Sequence, residues 1–145
     1  MVPTLLGRLE TRLFLLVFVG GVVTALLTPV LPVDGPLADR YQATFVVLGT
    51  VTVFGIGWEL LYHLVMQWRW EKDWPTLFGL LTAVPEGILV WVFAGRGALP
   101  WLPGPVPWEA FLIHFGIVWL AVWLFANGPM RVLFVRWRFY GGRIV

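Results

Sequence analysis

Along the chain, apolar residues gather into four blocks, at about 13–31, 44–66, 76–94 and 108–126. Each is close to the ~20 residues that carry a helix across ~30 Å of hydrocarbon at 1.5 Å per residue. Lipid offers no water to the backbone, so every amide must be satisfied within the segment, and each block predicts a helix. The breaks read P-V-D-G-P-L-A-D-R, Q-W-R-W-E-K-D-W-P and G-R-G-A-L-P-W-L-P-G-P-V-P, all too short for a soluble domain. The pattern predicts an all-α integral membrane protein. It is a single domain over 1–145, an up-down bundle of four transmembrane helices with a tail over 128–145.

Composition agrees with the pattern. Of the chain, 59% is hydrophobic and 12% charged, against about a quarter charged in an ordinary soluble domain. The absence of cysteine removes disulfides, iron–sulfur clusters, thiolate zinc sites and covalently attached haem. Nine of the ten basic residues are Arg, with Lys72 the exception, and Ala, Gly, Pro, Val and Trp are abundant; this hints at a GC-rich bacterial genome. Arg8 and Arg12 precede the first block as in a signal peptide. The run is longer than a secretory h-region of about 7–15 residues, however, and lacks an A-x-A-like site, so it is expected to stay attached.

Basic residues near helix ends orient a membrane protein. Arg8, Arg12, Arg69, Lys72, Arg131, Arg136, Arg138 and Arg143 fall on one side, and only Arg40 and Arg96 on the other. This predicts a bacterial plasma-membrane protein with both termini in the cytoplasm. Trp68, Trp70 and Trp74 are expected to mark the inner boundary, and Trp101 and Trp108 the outer one.

Helices in lipid associate through small residues that let them approach closely. The third block carries Gly79, Ala83 and Gly87 at four-residue steps, and the first carries Gly21 and Ala25 with Gly20 adjacent. These faces are expected to pack the bundle itself, or alternatively to receive a partner subunit or a second copy.

The stretch W-E-L-L-Y-H-L places Glu59 and His63 one turn apart in apolar sequence. Thr52, Gly55, Glu59, Tyr62 and Met66 recur at steps of three and four, with His63 beside them, which predicts one polar face directed into the bundle. Glu59 should lie roughly 10 Å and His63 roughly 5 Å from the inner boundary, and Glu86, between Pro85 and Gly87, roughly 16 Å. A short loop makes the second and third helices antiparallel neighbours, so the two carboxylates can face each other. Such residues are candidates for proton, ion or ligand handling; the alternative is interhelical hydrogen bonding alone. Three ligands from Glu59, His63 and Glu86 would be a weak metal site, and no metal or other cofactor is expected. Haem b held by His63 and His114 is disfavoured, because the two should differ by roughly 20 Å in height. His114 is expected to be a hydrogen-bonding packing residue, and Glu109 to complement its helix N-terminus.

After Gly128 and Pro129, which should stop the last helix, the tail interleaves Arg131, Arg136, Arg138 and Arg143 with aromatic residues such as Trp137. This suits docking to an anionic inner leaflet or a partner rather than nucleic acid, and the bilayer is the expected surface. No nucleotide loop, catalytic triad or zincin motif occurs. The leading expectation is a non-catalytic accessory or assembly subunit of a membrane complex. The alternatives are a small proton-coupled carrier using the Glu59, His63 and Glu86 seam, and an intramembrane enzyme acting on a lipid or isoprenoid.

Overall fold

In a computed structural model the chain is described over residues 4–68 and 76–144. It is all-helical among those residues. Helix α1 spans Leu5–Val30, α2 Leu37–Gln67, α3 Phe78–Ala94 and α4 Trp108–Asn127, followed by the short helices α5 (Pro129–Leu133) and α6 (Val135–Phe139). Three segments, Leu5–Val30, Leu37–Gln67 and Trp108–Leu133, are long and apolar enough to cross a membrane; α3 is a shorter apolar helix. Of the residues expected at the inner boundary, Arg69, Trp70, Lys72 and Trp74 lie outside the described residues.

The first helix departs from its expected start. It begins eight residues earlier than the apolar block, because Thr4 caps it, its hydroxyl accepting from Gly7 N at 3.1 Å. Arg8 and Arg12 therefore sit within the helix rather than ahead of it. One π-turn, Leu16–Gly20, interrupts α1 and alters the facing of the residues beyond it. Pro36 and Pro107, at φ −60° and −58°, stand immediately before α2 and α4, where a fixed φ and a missing N–H suit a helix start.

The small-residue stripe of α3 meets an aromatic ladder on α4. Phe111, Phe115 and Trp119 stack at 5.5 and 5.3 Å between ring centres. A Cβ on Gly87 would lie 2.9 Å from the Phe115 ring, and one on Gly79 3.3 Å from Trp123. Trp119 Nε1 donates to the Gly79 carbonyl at 2.9 Å and Trp123 Nε1 to that of Thr76 at 3.0 Å. Ala83 packs against the same core, so this stripe is occupied within the chain. On α1 the close approach belongs to Gly20, where a Cβ would lie 3.2 Å from the Leu48 side chain, whereas Gly21 has open space where a Cβ would go. The π-turn ends between these two glycines, and it is Gly20 that faces the bundle. Ala25 contributes its carbonyl, which accepts from Tyr41 Oη at 3.0 Å.

The outer face is apolar, unlike that of a water-soluble bundle, and a few polar residues sit within an otherwise apolar core. Thr24, Thr28, Thr44, Glu86 and His114 are buried, while Phe18, Leu26, Val53, Ile88, Leu112 and Leu124 face outward. Contiguous apolar surface of this kind is what a hydrocarbon solvent accepts. At one end, Leu99, Leu102 and Val106 of the α3–α4 loop pack onto the core, and Trp101 and Trp108 are exposed. At the opposite end, the start of α1, the end of α2, the start of α3 and the end of α4 surround a common space.

The tail closes that second end. Thr4 N donates to Gly141 O at 2.8 Å, Thr11 Oγ1 to Gly142 O at 2.9 Å, Trp137 Nε1 to Thr11 Oγ1 at 2.7 Å, and Ile144 N to Glu10 Oε2 at 2.8 Å. A Cβ on Gly7 would overlap Gly141 O and come within 2.7 Å of Gly142 C. Gly141 and Gly142 both have positive φ, 63° and 85°, a conformation that glycine adopts without a steric penalty. The tail is thus tied to α1 by hydrogen bonds and close backbone packing.

Candidate functional site: a buried ion cluster and its cavity

The site grows from Arg12. Its guanidinium donates to Glu59 Oε1 at 3.0 Å and to both oxygens of Glu86, one at 3.4 Å and the other in closer contact. Arg8 lies 3.6 Å from Glu59 Oε2 and also reaches Met66 Sδ at 3.4 Å. Three helices therefore supply one charge cluster: two cations from α1 and one carboxylate each from α2 and α3. Glu86 is 2% exposed, and its pairing with Arg12 offsets the large desolvation cost of a buried charge.

Local sequence makes room for this arrangement. A Cβ on Gly55 would overlap Arg12 Nε and lie 2.6 Å from Cζ, so the α2 backbone at Gly55 is the wall against which the Arg12 side chain lies. On the other side, Arg12 stands over the Trp119 ring, 5.5 Å from its centre, a distance at which a ring face attracts a cation.

The expected polar face of α2 is divided by the structure. Glu59 and Glu86 converge, but through an arginine. His63 does not join them: its Nε2 lies 3.3 Å from Gln67 Nε2, and its Nδ1 is buried with no partner among the described residues. Thr52 donates back to Leu48 O at 2.9 Å within its own helix. Tyr62 stacks on Trp58 and meets Phe78 edge-on. Its buried hydroxyl faces Glu86 without meeting full hydrogen-bond geometry, so Tyr62 borders the ion cluster. The reason for the division is helical geometry: His63 lies about 40° beyond Glu59 on the side away from Gly55, and Thr52 lies about 10 Å along the axis from Glu59. Among the described residues, no three His, Asp or Glu side chains come together as a metal site. His114 is far from His63 in its contacts, with Nε2 2.9 Å from Thr24 Oγ1 and Thr28 bonded onward to Thr44 at 2.8 Å.

Arg8 and Arg12 belong to this candidate site, although charge counting along the sequence assigns them to topology alone. The overlooked signal was the four-residue spacing of Arg8 and Arg12, with Gly7 and Thr11 beside them, which marks a polar stripe on a helix.

The ion cluster borders a cavity of about 600 Å³. Arg8, Arg12, Glu59 and Thr11 contribute from the floor and one side, Trp119 and Trp123 from another, and Arg131, Trp137 and Arg138 from the tail. Arg131 donates to the neutral Asn127 Oδ1 at 2.9 Å, and Arg138 lies 5.9 Å from the ring centre of its neighbour Phe139; neither has a described carboxylate partner. Arg136 and Arg143, grouped with them in sequence, are not among the cavity residues; Arg136 instead stands 5.1 Å over the Tyr140 ring. Chemically, the space combines an arginine-rich rim with an indole and aliphatic wall.

Comparison with protein-family models, with characterised proteins and with solved structures finds no match for this chain.

Proposed function

We propose that the protein is a membrane-embedded binder of an acidic amphiphile, held in the cavity between the Arg12 cluster and the tail. One observation carries this reading: a space of about 600 Å³ is lined at once by arginines from both ends of the chain and by Trp119, Trp123, Leu15 and Leu16. The volume falls in the range of small-molecule sites, about 300–1,000 Å³, and such sites join mostly apolar walls to a few polar anchors. An acidic headgroup suits the arginines, and an alkyl or prenyl chain suits the indoles and leucines.

In this proposal the chain crosses the bacterial plasma membrane four times, with both ends in the cytoplasm, and draws its ligand from the inner leaflet. The basic-residue distribution supports that orientation. The accessory-subunit reading rests on compact size, the lack of a soluble domain, small-residue faces and the aromatic tail; of these, the α3 face is filled by α4. The carrier reading drew on Glu59, His63 and Glu86 acting together, and Arg12 rather than His63 joins the two carboxylates.

The test is native mass spectrometry of the full chain released from membranes in mild detergent. One tightly held acidic lipid per chain, lost in the Arg131→Gln/Arg138→Gln double variant, is the expected result. Retention of only zwitterionic lipid, or an adduct indifferent to both arginines, would count against the proposal.

A further inference from the structure

We infer that the headgroup this cavity selects is a phosphate monoester carried on a hydrocarbon chain, an inference that rests on the acidic-amphiphile reading. It follows from the charge left over in the wall. Four arginines line the cavity among its described residues, Arg8, Arg12, Arg131 and Arg138, together with the single carboxylate Glu59. Glu86 meets the cluster through Arg12. Among the described residues, two positive charges therefore remain after both carboxylates are matched.

The surplus has definite locations. Arg12 is committed to the two carboxylates, and Arg8 is shared between Glu59 and the Met66 sulfur. Arg8 Nε is buried and without a partner among the described residues, a donor that costs free energy to leave unbonded. Arg131 and Arg138, on the tail side, face no described carboxylate. A carboxylate or phosphodiester headgroup would neutralise one of the two spare charges. A phosphate monoester carries about −1.5 to −2 at neutral pH and three acceptor oxygens, which matches both charges. Guanidinium groups bind such oxygens through paired, parallel hydrogen bonds. The indole wall of Trp119 and Trp123 leaves a place for the chain, so a lipid-borne phosphate fits better than the free ion.

The experiment titrates the full chain in detergent with short-chain phosphatidic acid, phosphatidylglycerol of the same chain length, and inorganic phosphate, read by intrinsic tryptophan fluorescence. Phosphatidic acid is expected to bind at least about tenfold more tightly than phosphatidylglycerol, with inorganic phosphate weakest. In Arg131→Gln/Arg138→Gln, two exposed positions whose replacement leaves the core intact, the preference should fall to about twofold or less. Equal binding of the two lipids would overturn the monoester inference and leave the acidic-amphiphile reading standing. Binding of neither would overturn both. Inorganic phosphate matching phosphatidic acid would keep the phosphate chemistry and remove the lipid as its source. A preference unchanged in the double variant would place the selectivity away from these arginines and overturn the inference.

Discussion

Arg12 on α1 donates to Glu59 on α2 and to Glu86 on α3, so one guanidinium joins three helices. Removing it leaves two carboxylates in a buried setting, whereas removing Glu86 leaves a matched Arg12–Glu59 pair. Breaking a buried pair from one side costs about 3–5 kcal/mol. Arg12→Met should lower the melting temperature in detergent by on the order of 10 °C. Adding Glu86→Gln to that variant should recover part of the loss, since Glu59 keeps Arg8. A double-mutant cycle by thermal unfolding measures the coupling; strictly additive losses would contradict the cluster.

The close approach of Gly55 to Arg12 gives a second, independent handle. A side chain at position 55 displaces the guanidinium without touching any charge. Gly55→Val is expected to destabilise the fold about as much as Arg12→Met does, by about 3–5 kcal/mol. Gly57 has open space around it, and Gly57→Val should change the melting temperature little. Similar behaviour of the two valine variants would argue that Gly55 makes no room for Arg12.

On α3, Gly87 sits against Phe115 with no room for a larger residue. Gly87→Leu forces the aromatic ladder of α4 to move and should cost about 1–3 kcal/mol, the usual penalty for overfilling a packed site. Thermal unfolding in detergent provides the check, with Gly21→Leu as the comparison, since position 21 faces open space.

Tail docking is open to proteolysis. Gly7→Val removes the backbone contact with Gly141 and Gly142. Trypsin should then cut after Arg136 and Arg138 at least about tenfold faster, the equivalent of about 1.4 kcal/mol of lost docking. An unchanged cutting rate would mean that the tail does not depend on this contact.

Much of the architecture is legible in hydropathy, because a chain with so few charges has no water-facing way to fold. The four apolar blocks correspond to helices, and the opposition of Glu59 and Glu86 follows from a short connection and the helical rise. Arg12 was not legible as their partner. A basic residue just before an apolar block usually lies outside the hydrocarbon, and the Thr4 cap that draws α1 back to Leu5 is a local signal that hydropathy does not weigh. The cavity was hidden for another reason. Its walls come from Arg8 and Arg138, far apart in sequence, and the glycines that let the tail return, Gly7, Gly141 and Gly142, look alone like ordinary turn residues. His63 adjoins Glu59's stripe in sequence, and only the side chains on α1 and α3 decide which member of that stripe is engaged.

The ligand's place can be read directly by photocrosslinking. The full chain, in vesicles containing phosphatidic acid with a photoreactive group near the glycerol end of one chain, would be irradiated, digested and mapped by mass spectrometry. Adducts concentrated on Trp119, Val122 and Trp123, which line the cavity, and competed away by unlabelled phosphatidic acid, are the predicted result. Adducts confined to outward residues such as Leu112, Ile117 and Leu124, with no competition, would show that the lipid merely surrounds the bundle and would contradict a binding site within it.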